Sequence, residues 1–150
     1  MGIVYSGDAV NLMNENDSFA LVTFNNNSTV INDLTITNSD NKNQIIEKIN
    51  SLTASGKTNI LSGLKAGLDL IKDDFSTGEK VCSMILLSDG GDNYNNVTAD
   101  FKNYISSQRK NNYLFTLHSF GYGEDHNSEL MSQIALIREG GYFNIRKLFM

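Results

Sequence analysis

The sequence predicts an α/β domain with a doubly wound, mostly parallel sheet and an antiparallel hairpin at its edge. Three observations support this prediction. Strand-like apolar runs alternate with segments of helical periodicity, the run VCSMILL at residues 81–87 is apolar almost throughout, and two β-branched segments lie close together near the start. Strands separated by helices imply right-handed crossovers and parallel pairing. A continuous apolar strand is typical of a parallel sheet that helices cover on both faces.

The first half of the chain is predicted to form the hairpin and two helices. Residues 18–24 (SFALVTF) and 29–36 (TVINDLTI) are separated by the turn-rich NNNS, which favours two antiparallel strands. Apolar residues recur at helical spacing in residues 41–52, with Ser39 or Asp40 as the N-cap. A second apolar stripe covers residues 60–71, and Thr58 stands at the start of this helix.

The second half of the chain alternates between strands and helices. The apolar run at residues 81–87 is the predicted central strand, and it ends in the turn SDGGDN. A helix from Thr98, a strand within YLFTLHSFGYG, a helix closed by Gly140 or Gly141 and a final strand YFNI follow. Ligands of such sheets bind outside the carboxyl ends of the strands, so the loops SDGGDN and GYGEDHNSE are the places where a site is expected.

Length and charge exclude several classes of function. A chain of 150 residues fits one domain over residues 1–150, and a net charge of −5 without a basic cluster argues against nucleic acid as a partner. No stretch approaches the roughly 20 apolar residues of a membrane span, and no signal peptide is recognised, so the default location is cytoplasmic. Cys82, the one cysteine, lies in the apolar run and is expected to be buried and unreactive.

The stretch SGKTNILSGL at residues 55–64 resembles the end of a phosphate-binding loop. A P-loop needs its first glycine five residues before the second and a strand directly before it. That position is Ser51, and a predicted helix precedes the loop. A nucleotide-binding enzyme with Lys57 on the phosphates is therefore a remote alternative. Since no Ser-His-Asp or Cys-His arrangement is supported either, the protein is not expected to be an enzyme.

Thr58 and Asp89 are the candidate metal ligands. A hydroxyl at the start of a helix and a carboxylate at the end of a central strand are hard oxygen ligands that suit Mg²⁺. Each also has a purely structural explanation, because Thr58 can cap its helix and Asp89 can open a turn. The local pattern leaves both interpretations open.

Four segments, in this order and at these separations, resemble a von Willebrand factor type A domain: GKTNILSGL, ILLSDGGDN, FGYGEDHNSELMSQIA and GGYFNI. The resemblance runs from about residue 14 to residue 145. It implies a protein-protein interaction module with a metal-ion-dependent adhesion site at the top of a doubly wound sheet, where an acidic residue of the partner completes the coordination of Mg²⁺. Thr58 matches the family's threonine ligand, and Asp89 matches its distal aspartate, which acts through water.

One part of the family pattern is absent. The motif D-x-S-x-S at the end of the family's first strand has no counterpart, and residues 4–13 align best with the second half of the helix that follows it. The domain is therefore expected to be N-terminally incomplete, without the first central strand and its three ligands. This predicts an unfilled slot or an exposed sheet edge and a partial adhesion site that binds Mg²⁺ weakly or not at all. A metal-free interaction or scaffold domain is the alternative function.

Overall fold

The computed structural model describes residues 10–53, 55–71, 81–89, 91–92, 94–108, 114–123 and 126–145. The strands are β1 (Ser18–Phe24), β2 (Ser28–Ile36), β3 (Cys82–Ser88), β4 (Phe115–Tyr122) and β5 (Tyr142–Ile145). The helices are α1 (Ser39–Asn50), α2 (Ile60–Ile71), α3 (Val97–Ser107) and α4 (Ser128–Ala135), and a 3₁₀ helix (Leu136–Arg138) directly follows α4. Within the described ranges, no helix is long and apolar enough to cross a membrane.

The strands form two sheets. β1 and β2 pair antiparallel, whereas β3, β4 and β5 pair parallel in that order, which confirms the predicted hairpin and parallel sheet. Between the described strands, no ladder of hydrogen bonds joins the hairpin to the parallel sheet. Residues 10–12 are helical and no described strand precedes β1, while residues 1–9 lie outside the described part of the chain.

The main core lies between the parallel sheet and the three helices α2, α3 and α4. Apolar side chains of these helices and strands are withdrawn from solvent together, among them Leu64, Leu68, Phe101, Leu117 and Ile134. A second, smaller cluster joins α1 to the hairpin through Val10, Ile45 and Ile49. Burial of these two sets of side chains supplies the main driving force for folding of the described region.

Helix α2 contacts both sheets through two glycines one turn apart. A Cβ atom on Gly63 would lie 2.5 Å from the Phe24 ring of β1, and a Cβ atom on Gly67 would lie 3.3 Å from Cε of Met84 on β3. Residues four apart lie on the same face of a helix, so this one face of α2 approaches the hairpin at Gly63 and the parallel sheet at Gly67. The helix therefore links the two sheets, which are not paired with each other.

The prediction that helices cover both faces of β3 is wrong for the described residues. Cys82 and Leu86 face the core that α2, α3 and α4 share. Ser83 is exposed on the other face, and the Ile85 side chain beside it is 57% exposed. The apolar run therefore forms the outer strand of the three-stranded sheet. The helices that pack on this sheet among the described residues, α2, α3 and α4, lie on one of its faces.

Two helix boundaries differ from the predicted ones. The N-cap of α1 is Asn38, whose Oδ1 accepts the Asn41 N–H at 2.9 Å, and neither Ser39 nor Asp40 takes this role. After the 3₁₀ helix, the left-handed residue that ends the helical segment is Glu139, with φ of 56°, although Gly140 comes next. Gly140 is needed for a different reason, which is its close approach to β4.

Burial makes Cys82 a weak nucleophile. Desolvation raises the pKa of its thiol from 9.0 to about 11, which lowers the thiolate fraction at pH 8 about 100-fold relative to an exposed thiol. We expect native protein to react with Ellman's reagent at least about 100-fold more slowly than protein unfolded in urea. As a control, Val81→Cys in a Cys82→Ala background places the thiol at a position that is 95% exposed, where reaction should be fast. Equal rates for the two native proteins would contradict this account.

Candidate functional site

The carboxyl ends of β3 and β4 lie side by side at one edge of the parallel sheet. The parallel register runs from Cys82 opposite Phe115 to Ser88 opposite Gly121, so both strands end at the same level. Asp89 directly follows β3 and is exposed at this edge. We call this the carboxyl edge, and it is where parallel sheets bind ligands.

A second carboxylate, Asp92, lies in the same loop. Its Oδ1 accepts the Tyr94 N–H at 2.9 Å, which stabilises a tight turn two residues long. Its Oδ2 is buried. Burial of one oxygen orients the Asp92 side chain toward the protein, whereas Asp89 faces solvent.

The loop that carries Thr58 is held by the turn of the hairpin. The Lys57 N–H donates a hydrogen bond to Oδ1 of Asn26 at 3.0 Å. The Asn59 side-chain amide donates through Nδ2 to the backbone carbonyl of Asn26 at 3.1 Å. Gly56 enters this loop with φ of 80°, a left-handed conformation that glycine adopts without strain. The hairpin turn therefore positions the residues on both sides of Thr58.

Asn59, and not Thr58, caps helix α2. Oδ1 of Asn59 accepts the Ser62 N–H at 3.0 Å, and its carbonyl accepts the Gly63 N–H at 3.4 Å. These are the two bonds of an N-cap residue, so Asn59 takes the capping role that the sequence had offered for Thr58 as one of two interpretations. Thr58 is half-buried one residue before the cap.

Thr58 lies two residues before α2, and Asp89 directly follows β3. Gly67 in the second half of α2 packs against Met84 in the first half of β3, and the helix leads into this strand along the chain. This contact joins the later part of α2 to the earlier part of β3, as expected where α2 begins near the level at which β3 ends. No group of three or more His, Cys, Asp or Glu side chains suited to a metal ion occurs within the described ranges.

The structural context of a phosphate-binding loop is missing around Lys57. The element before the loop is helix α1, where a P-loop requires a strand. The Lys57 N–H, which such a loop would direct at a phosphate, already donates to Asn26. The nucleotide-binding alternative therefore loses its support in the structure.

His126 is fixed at the carboxyl edge by two hydrogen bonds that the sequence did not reveal. Its Nδ1 lies 2.7 Å from the carbonyl oxygen of Gly123 and its Nε2 lies 2.6 Å from the hydroxyl of Tyr142. A carbonyl oxygen only accepts, so Nδ1 carries a proton and donates it. Gly121 leaves room for the ring, because a Cβ there would lie 2.3 Å from Cδ2 of His126. With both nitrogens engaged, the His126 ring is held against Gly123 and Tyr142.

These elements define an α/β domain with a parallel sheet, helices packed on it and a loop-lined carboxyl edge. The family model described as von Willebrand factor type A domain matches residues 4–149. The chain belongs to the von Willebrand factor type A domain family. Domains of this family are protein-interaction modules and are generally not enzymes.

Solved structures share this fold at low sequence identity. A von Willebrand factor type A protein from Catenulispora acidiphila is 24% identical with a TM-score of 0.81, over 95% of this chain and 33% of that one. Proximal thread matrix protein 1 from the mussel byssus, solved with a zinc-occupied MIDAS motif, is also 24% identical with a TM-score of 0.68, over 92% of this chain and 34% of that one. BatB from Bacteroides thetaiotaomicron is 12% identical with a TM-score of 0.72, over 95% of this chain and 77% of that one. The chain thus spans about a third of the first two proteins, and no curated protein matches it.

Proposed function

We propose that this domain binds a protein partner at its carboxyl edge, through an acidic residue of the partner and a weakly held divalent cation between Thr58 and Asp89. The observation that carries the proposal is the arrangement of the edge. Asp89 is exposed directly after β3, and the loop of Thr58 is locked to the hairpin turn by Asn26. A fixed loop limits the entropy lost when a ligand is bound.

The chemistry of the two side chains fits Mg²⁺. A threonine hydroxyl and an aspartate carboxylate are oxygen ligands, and Mg²⁺ keeps several waters when a protein supplies only a few ligands. Two protein ligands leave most of the octahedral shell to water and to a carboxylate of the partner. The expected affinity is therefore in the millimolar range. The mussel protein, solved with a zinc-occupied MIDAS motif, supports the binding of a divalent cation by a protein of related fold.

A thermal shift tests the cation site without a known partner. For a Kd of about 1 mM, 5 mM Mg²⁺ stabilises the native state by about 1 kcal/mol. In a domain of this size, that change raises Tm by roughly 2–4 °C. Thr58→Ala and Asp89→Asn should each remove the rise. The matched controls are Thr53→Ala and Asp33→Asn, which change exposed residues outside the proposed ligand pair and should keep it.

The result also separates the two candidate functions. A rise in Tm that survives both Thr58→Ala and Asp89→Asn places the cation elsewhere and contradicts the proposed ligands. The absence of any rise with Mg²⁺ or Mn²⁺ favours the metal-free interaction domain.

A further inference from the structure

A groove separate from the carboxyl edge lies between α3 and the 3₁₀ helix. An open groove of about 460 Å³ is lined there by Lys102, Ile105, Ser106, Ile137 and Arg138. We call it the basic groove, because its charged lining residues are both cations and no described carboxylate lines it. In a chain with a net charge of −5, two cations without an acidic neighbour in the groove form a local reversal of charge.

Arg138 is held in place by an aromatic ring. Its guanidinium carbon lies 4.8 Å from the centroid of the Phe115 ring, a cation–π geometry that fixes the planar group. Partial burial lowers the pKa of Arg138, because desolvation disfavours its charged form. A guanidinium fixed in this way presents its remaining N–H donors as a fork that fits a carboxylate.

The basic groove is distinct from the carboxyl edge. Phe115 is the first residue of β4, so Arg138 lies at the amino end of this strand, whereas Asp89 lies where the strands end. The remaining lining residues complete a mixed surface. Ile105 and Ile137 supply apolar area, and the Ser106 hydroxyl donates to the Lys102 carbonyl at 2.9 Å.

We propose that the basic groove binds a short peptide segment of a partner protein in which acidic residues alternate with aliphatic ones. Carboxylates pair with Arg138 and Lys102, and aliphatic side chains cover Ile105 and Ile137. The charge of the groove selects an anionic ligand. The adjoining apolar area and the open shape favour an extended peptide over a small anion, which would leave the isoleucines in contact with water.

A labelled peptide tests this proposal. The probe is a fluorescein-labelled Gly-Leu-Glu-Leu-Glu-Gly peptide, with the same peptide carrying Gln for Glu as its uncharged counterpart, and binding is followed by fluorescence anisotropy. We expect a Kd of about 10–100 µM for the acidic peptide at low salt and at least tenfold weaker binding of the Gln peptide, as for a loss of about 1.4 kcal/mol. Binding should weaken as NaCl is raised from 0.05 to 0.5 M, since exposed charge pairs are screened.

Variants assign the binding to the groove. Arg138→Gln and Lys102→Gln should each raise Kd about five- to tenfold, while Arg138→Lys should recover part of the loss because it keeps the charge but not the fork. Lys65→Gln is the matched control, since it removes one charge from a side chain that lies 5.1 Å from the Tyr104 ring and does not line the groove. Lys102 is exposed, so its variant reports on binding even if Arg138→Gln loses stability.

Three results of the titrations without EDTA would overturn the proposal. They are no binding of the acidic peptide at 1 mM, unchanged binding by both groove variants, and complete competition by millimolar acetate, which would indicate a site for simple anions. Addition of EDTA distinguishes the two recognition surfaces. Binding that EDTA abolishes belongs to the carboxyl edge and contradicts the groove, whereas binding that persists supports the groove whatever the outcome of the Mg²⁺ experiment.

Discussion

Replacing Gly140 with alanine is expected to destabilise the domain by at least about 3 kcal/mol. A Cβ at this position would lie 1.8 Å from the carbonyl oxygen of Leu117 and 2.4 Å from its carbonyl carbon. These are backbone atoms of β4, which also pairs with β3 through Met84. The clash therefore cannot be relieved by rotating a side chain, and relief requires a shift of a strand in the centre of the parallel sheet.

Urea unfolding followed by far-UV circular dichroism measures this effect. The matched control is Gly91→Ala, because a Cβ on Gly91 meets no atom within 4 Å. The control should stay within about 0.5 kcal/mol of the original protein. Equal stability of the two variants would mean that Gly140 does not approach Leu117 as closely as the structure shows.

Phe101→Ala is expected to cost about 3–5 kcal/mol of unfolding free energy. Phe101 lies on α3 and is 0% exposed, among the side chains that join α3 to α2, α4 and the parallel sheet. Truncation removes the apolar ring and leaves a cavity that the surrounding helices fill only in part. The same urea experiment measures this loss.

Leu12→Ala serves as the comparison for Phe101→Ala. Leu12 is 85% exposed, so its truncation removes little buried area and should change stability by no more than about 0.5 kcal/mol. A loss at Phe101 as small as that at Leu12 would argue against a common core under α2, α3 and α4. A change in the denaturant slope, instead of the midpoint, would indicate an altered unfolded or native ensemble.

The sequence located the strands well where turn residues bound an apolar or β-branched run. Residues 18–24 and 142–145 were predicted to the residue, because NNNS ends the first run and Gly140 with Gly141 precedes the last. The helices were found from their apolar stripes, but their caps were not. Asn38, Ser39 and Asp40 all carry side chains that can accept a hydrogen bond from a helix N–H. The N-cap is the one of the three whose backbone is not helical, which is Asn38.

Local pattern could not determine the surroundings of β3. An apolar run indicates that a strand can be buried on both faces, but it does not show whether helices or a neighbouring strand are present to bury it. The exposure of Ile85 and the separation of the two sheets depend on contacts between distant segments. The same limit applies to His126, whose partner Tyr142 is 16 residues away.

The position of Asp89 was predictable because parallel strands end at one edge, where ligands bind. Its role as a metal ligand, and that of Thr58, remain predictions. The part of the site that could not be predicted is its support. Asn26 and Lys57 are 31 residues apart, and three consecutive asparagines offered no sign of which one contacts the loop.

Asn26 positions the candidate site without being one of its proposed ligands. The residues flanking Thr58 are bonded to Asn26, a side chain that supplies none of the proposed ligands. A substitution in the hairpin turn can thus shift the Thr58 hydroxyl relative to Asp89 while leaving both candidate ligands unchanged. Substitutions in this turn could therefore change the affinity of the site for a ligand while the residues that contact the ligand stay the same. Residues that support metal ligands change metal affinity in the same way.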